Sequence, residues 1–158
     1  PGTEHAVKPI QDLLAEHPFF EGLASDDLAA LAAYGTDVRF APDEVIFREG
    51  ERADRFFVLR TGRVGLEIHA LGRPPHLVTT LSSGDVLGAS WLFPPYQWQF
   101  EAVALDETSA VALDADALRG HLDADPALGY LLVQRFAGLL VKRLQAARFR
   151  LLDVYGDV

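Results

Sequence analysis

Between Thr36 and Asp114 the chain breaks into seven short runs with β character, and this pattern restricts the fold more than any other feature. The runs cover residues 38–40, 45–47, 56–59, 64–68, 77–81, 100–105 and 109–113. Turn chemistry separates them: Ala41-Pro42-Asp43, Glu49-Gly50-Glu51, Thr61-Gly62, Gly72-Arg73-Pro74-Pro75 and Ser83-Gly84-Asp85. Many short strands at close spacing call for a β-sandwich, barrel or roll.

Helical periodicity brackets this segment. Residues 9–34 read as helices, with Pro18 after His17 ending the first and Ser25 capping the second. Leu28 and Leu31 are spaced to face a core. After Asp114, a candidate N-cap, a short helix runs to about Leu122. Asp125-Pro126 then opens a long helix that reaches about Tyr155, with Gly156 as its natural stop. The long helix carries two apolar stripes. Leu128, Leu132, Phe136 and Leu139 are placed to pack on the β-roll. Tyr130, Val133, Ala137, Leu140, Leu144, Ala147, Leu151 and Val154 alternate spacings of three and four, the seam of a two-helix coiled coil. A homodimer through this helix is therefore expected. The expected fold is mainly β with flanking helices: a double-stranded β-helix, or jelly-roll-like β-roll, with N-terminal helices and a long C-terminal dimerisation helix. It forms one domain over 1–158, with helices at 9–34, the roll at 36–114 and helices at 115–156.

Composition narrows the function. A length of 158 residues suits one domain with a real core. The absence of cysteine excludes disulfides and thiolate metal sites. No apolar run approaches the roughly 18 residues of a membrane span, and no signal peptide opens the chain, so a cytoplasmic location is expected. The first residue is Pro1, which fits a trimmed chain or a piece of a longer one. A net charge of −9 opposes phosphate backbones and argues against nucleic acid as a partner. Arg135, Lys142, Arg143, Arg148 and Arg150 cluster late; they read as the wet face of a helix, with a basic docking strip as the rival.

Four stretches in order carry a resemblance to a known family. They are Phe19-Phe20-Glu21-Gly22-Leu23-Ala24, the run from Asp43 to Asp54, Phe57-Val58-Leu59-Arg60-Thr61-Gly62-Arg63-Val64, and Leu81-Ser82-Ser83-Gly84-Asp85-Val86-Leu87-Gly88. The chain resembles the cyclic-nucleotide-binding domain family, the sensor β-roll of catabolite activator-like proteins, over roughly residues 12–150. The resemblance implies a phosphate-binding cassette after the Gly84-Asp85 turn. There a short helix offers backbone N–H groups to the cyclic phosphate. A glutamate after the helix-opening glycine holds the ribose, and an arginine nine residues later pairs with the phosphate.

Both anchors are replaced here. The cassette reads Gly88-Ala89-Ser90-Trp91-Leu92-Phe93-Pro94-Pro95-Tyr96-Gln97-Trp98-Gln99-Phe100. Ala89 stands at the glutamate position and Trp98 at the arginine position, and no arginine or lysine occurs between Arg73 and Arg119. A hydrogen bond to a charged group is worth roughly 1.5–3 kcal/mol. Losing two costs on the order of 3–6 kcal/mol, or about two to four powers of ten in affinity. Cyclic AMP or GMP is therefore not the expected working ligand.

Three readings of the replaced cassette stay open: a pocket collapsed on its own rings, an altered pocket for another small molecule, and an exposed aromatic platform for a protein. The pocket candidates are Gly88, Ala89, Ser90, Trp91, Leu92, Tyr96, Trp98 and Phe100. Relatives on this roll sense haem, 2-oxoglutarate or aromatic compounds. Ser90 and the N–H groups after Gly88 suit an anion. No metal site or cofactor is expected. Of His5, His17, His69, His76 and His121, none pair at helical ligand spacing; His69 and His76 flank the Gly72-Arg73-Pro74-Pro75 turn and are placed to approach each other across a hairpin, but with no carboxylate or cysteine nearby they make a weak metal site. Enzyme motifs are absent: there is no Gly-rich loop with lysine, no His-Glu-x-x-His and no Gly-x-Ser-x-Gly.

These readings converge on a non-catalytic regulatory or accessory protein that acts through a protein partner. The family mechanism implies that cassette closure shifts the long helix. A small-molecule sensor with a changed pocket is the first rival. The second is the sensor part of a transcription regulator, because the sequence ends about two residues after Gly156 and leaves no helix-turn-helix to read DNA.

Overall fold

A computed structural model describes residues 8–155, with side chains described through residue 152. Contacts divide the chain into two compact units, one ending at His121 and one beginning at Leu122. His5 and Gly156 lie outside the described residues, as does the side chain of Val154.

In the first unit, α1 (Ile10–Glu16) stops where Pro18 cannot continue it, and α2 (Ser25–Ala32) follows a short 3-10 turn at Pro18–Phe20. Ala24, not Ser25, is the N-cap of α2, so Ser25 is its first helical residue. Leu13, Leu14, Leu28 and Leu31 are buried. Eight strands come next: β1 (Gly35–Phe40), β2 (Val45–Phe47), β3 (Arg55–Thr61), β4 (Arg63–Ile68), β5 (His76–Ser82), β6 (Val86–Leu87), β7 (Glu101–Ala104) and β8 (Thr108–Asp114). The seven runs read from sequence are all strands, and β6 is an addition. At two residues, β6 is too short to show a period; its pairing of Phe57 with Leu87 and Val58 with Val86 defines it.

The strands form two four-stranded sheets, ordered β1-β8-β3-β6 and β2-β7-β4-β5, with every pairing antiparallel. This is the β-roll expected. Strand β3 is covered on both faces: Phe56, Phe57, Val58 and Leu59 are each fully buried. Alternate residues of a strand point to opposite faces. Accordingly Phe57 meets Phe40 and Phe47, while its neighbour Phe56 meets Trp91. Between β3 and β4 the chain crosses from one sheet to the other at Gly62, with φ +91°, where a Cβ would fall 2.5 Å from the Glu107 carbonyl oxygen. Arg63 grips Asp106 beside it through Nε at 2.6 Å and Nη2 at 3.1 Å. Asp114 caps α3 (Ala115–Ala124) by accepting from the Ala117 N–H at 3.1 Å.

In the second unit, α4 (Pro126–Tyr155) begins as its sequence dictates. Pro126 takes the first helical position, and Asp125 accepts from the Leu128 N–H at 3.3 Å. Leu128, Leu132 and Phe136 are buried, and Leu139 is half-buried.

Candidate functional site

The segment from Gly88 to Phe100 leaves the roll after β6 and returns to it as β7. Gly88 takes φ +99°, a conformation side chains rarely adopt. Ala89 follows, and a 3-10 turn at Ser90–Leu92 closes with the Leu92 N–H donating to the Ala89 carbonyl at 3.1 Å. This turn aims Trp91 inward, fully buried and stacked on Phe56 with ring centroids 5.0 Å apart. Phe93 is exposed, the Pro94-Pro95 bond is cis, and Tyr96 has φ +58°. The return stretch then lies along residues 50–53. The Ala53 N–H donates to Tyr96 O at 2.7 Å, the Trp98 N–H to Glu51 O at 2.9 Å, and the Gly50 N–H to Trp98 O at 2.8 Å.

That pairing decides where Trp98 points. Its ring is 4% exposed and lies flat on Phe47, with centroids 3.8 Å apart and planes within 8°. The indole edge reaches Gly88: a Cβ built on Gly88 would fall 2.6 Å from Cζ3 and 2.8 Å from Cη2. Gly88 and Trp98, ten residues apart, therefore touch, and indole occupies the space beside Gly88. Gly88, Ala89, Ser90, Leu92, Tyr96 and Phe100 are half-buried around it. An aromatic platform built on the two tryptophans is not present, because both are inside.

Arg119 of α3 holds the cassette from outside. Its Nη1 donates to the Trp91 carbonyl at 2.5 Å, and its guanidinium lies 4.5 Å from the centre of the Tyr96 ring. Its Nη2 donates to Asp116, which also takes Arg52 at 2.9 Å. Hydrogen bonding from Arg52 holds the Asp116 carboxyl below the usual carboxylate range. Sequence reading missed this brace, because Arg119 looks like any polar residue on an amphipathic helix.

A second polar group sits on the sheet of β2, β7, β4 and β5. Glu67 and Glu101 are directly opposite in the β4–β7 register. His69 Nε2 lies 2.6 Å from Glu101 Oε2 and 3.6 Å from Glu67 Oε2, and Arg48 Nη1 donates to Glu101 Oε1 at 2.9 Å. This corrects the expectation that His69 has no carboxylate nearby. His76 pairs with Ile68 instead of facing His69. His69 follows the last residue of β4, two positions after Glu67, whereas Glu101 is 34 residues further on than Glu67 and reaches it only through the β4–β7 pairing.

On α4 the predicted seam is bare in the single chain. Tyr130, Val133, Leu140, Leu144 and Leu151 are 40–68% exposed, and Ala137 and Ala147 are exposed as well. Val141, Phe149 and Leu152 widen the apolar surface beyond the seam. Among the described residues no helix is long and apolar enough to cross a membrane.

Two antiparallel sheets in a roll, a glycine-led connection with a short 3-10 turn and a long C-terminal helix define a helix-flanked β-roll. The cyclic nucleotide-binding domain family matches residues 37–125, and the chain belongs to that family. It is 28% identical over 150 residues to the CRP-like cAMP-activated global transcriptional regulator of Mycobacterium tuberculosis, covering 94% of this chain and 65% of that protein. The crystal structure of a Geobacter metallireducens protein assigned as cyclic nucleotide-binding is similar at 27% identity and a TM-score of 0.77, covering 87% of this chain and 98% of that one. The Thermus thermophilus catabolite activator protein is similar at 25% identity and a TM-score of 0.67, covering 88% of this chain and 63% of that one. The chain thus spans about two thirds of the length of these regulators.

Proposed function

We propose that this chain is a non-catalytic regulatory domain of the cyclic nucleotide-binding family whose pocket is occupied by its own indole. It does not hold cyclic AMP or GMP in the usual way, and it works in the cytoplasm through protein contacts. Trp98 carries this reading. The ring is flat on Phe47, in contact with Gly88 and nearly sealed from water, at the position where the family pattern places a phosphate-pairing arginine. Ala89 removes the ribose-binding carboxylate, and the segment between Arg73 and Arg119 supplies no cation to replace the arginine. A cyclic nucleotide would have to expel the indole and then bind without either anchor.

The bare seam from Tyr130 to Leu151 supports self-association of α4 as the arrangement in which the domain acts. Its spacing suits a second copy of the same helix.

Calorimetric titration with cyclic AMP and cyclic GMP tests the pocket reading. No heat is expected up to about millimolar nucleotide. The double variant Ala89→Glu/Trp98→Arg restores both anchors and should gain on the order of 3–6 kcal/mol, bringing binding into the micromolar range. Micromolar binding by the unaltered chain would overturn the proposal. Heat from another anion or an aromatic compound, with none from cyclic nucleotides, would favour a changed-ligand sensor instead.

A further inference from the structure

We propose that Glu67, His69 and Glu101 form a divalent transition-metal site, zinc in class, on the face of the β2-β7-β4-β5 sheet. The site is separate from the cassette and independent of how the cassette is read. One ligand atom from each residue already lies within 4.8 Å of the other two. The donor set, one imidazole nitrogen and two carboxylate oxygens, suits a zinc ion that keeps water in its fourth position.

The register gives an independent reason for a cation. Glu67 and Glu101 are a directly opposed cross-strand pair, and like charges so placed repel. Glu101 has a side chain only 12% exposed, so water screens it poorly. Arg48 neutralises one of the two charges through Glu101 Oε1. That contact leaves Oε2 turned toward His69 and Glu67, and it orients the carboxylate as outer-sphere partners of metal ligands do. With Arg48 in place, the two carboxylates and a neutral imidazole carry one net negative charge. A divalent ion reverses the sign without leaving a large excess.

The distances require only a small adjustment. Two ligand atoms each about 2.0–2.1 Å from a tetrahedral ion stand roughly 3.3 Å apart. His69 Nε2 and Glu67 Oε2, at 3.6 Å, are close to that already. His69 Nε2 and Glu101 Oε2, at 2.6 Å, share a hydrogen bond that must open by about 0.7 Å. The His69 side chain is 46% exposed and has room to swing outward, while β4 and β7 hold the two glutamates across a paired ladder.

Titration of the tag-free chain with zinc by calorimetry, and with cobalt(II) by visible absorption, tests the site. One ion per chain is expected, with the intense visible bands of low-coordinate cobalt that zinc then bleaches. His69→Gln and Glu67→Gln should each weaken binding at least tenfold without lowering the thermal midpoint of the metal-free protein appreciably, because neither residue belongs to the core and Glu67→Gln also relieves the repulsion with Glu101. His76→Gln and His121→Gln should bind as the parent does. The absence of saturable binding by about 100 µM zinc would overturn the proposal. So would full binding by both His69→Gln and Glu67→Gln, or saturable binding of calcium without zinc.

Discussion

Replacing Trp98 with alanine should produce one of the largest losses of stability available to a single substitution here. The indole is 4% exposed, faces Phe47 at 3.8 Å and abuts Gly88. A tryptophan side chain buries roughly 150–250 Å², which at about 25 cal/mol per Å² is about 4–6 kcal/mol, an upper bound because unfolded chains are partly compact. Measured truncations of buried Phe and Trp give about 3–5 kcal/mol, and the stack on Phe47 accounts for about 0.5–1.5 kcal/mol of that. For a chain of this size, about 2–4 °C of thermal midpoint goes with each kcal/mol, so Trp98→Ala should melt roughly 6–20 °C lower. The vacated space is apolar and next to Phe47, so it should stay dry and accept a flat ring. Added indole should raise the melting temperature of Trp98→Ala and leave the parent unaffected. Thermal and urea denaturation, with and without indole, provide the assay. A loss under about 1 kcal/mol with no response to indole would refute the reasoning, since a ring so cheaply removed cannot be filling the pocket.

Three further outcomes follow from the same geometry. Gly88→Ala should cost about 1–3 kcal/mol for its backbone conformation alone, plus the collision with indole; in a Trp98→Ala background the second part vanishes, so a double-mutant cycle should show a clear coupling. Burial holds the His17 imidazole below its ordinary value of 6.5, against opposing contributions from Leu59 O and Asp85. Its Nε2–H donates to Leu59 O at 3.0 Å while Nδ1 accepts from the Phe19 N–H at 3.2 Å, so the folded state favours the neutral ring. The unfolded chain therefore binds the proton first as pH falls, and stability present above pH 6.5 should decline below it by at most about 1.4 kcal/mol per pH unit; His17→Gln should flatten that part of a denaturation profile taken between neutral and mildly acid pH, and an unchanged slope would remove His17 as the cause. On α4, Leu144→Glu places a carboxylate in the middle of the seam and should weaken self-association by about 2–5 kcal/mol, read as a shift to monomer in sedimentation at micromolar protein; an unshifted mass would mean that this face is not the interface.

Much of the fold is legible in the sequence. Strand runs, glycine and proline turns and the Asp125-Pro126 start are local rules, enforced by neighbours in the chain, and they placed seven of the eight strands and the long helix. That Ala89 and Trp98 stand where the family resemblance places a glutamate and an arginine was equally plain, because a missing charge needs no structure to be seen. The direction of Trp98 was not legible, since a ring in a loop has no period to read. It faces inward because residues 96–98 pair with residues 50–53, a segment more than forty positions earlier, and that pairing turns the indole onto Phe47. The Arg119 brace and the Glu67–His69–Glu101 group arise in the same way, from strands and helices distant in sequence brought into register. The sequence by itself determined that the stretch from Gly88 to Phe100 carries no charged side chain. Only the tertiary structure decided what fills the space, because filling a pocket depends on which distant surfaces meet, and local chemistry does not carry that information.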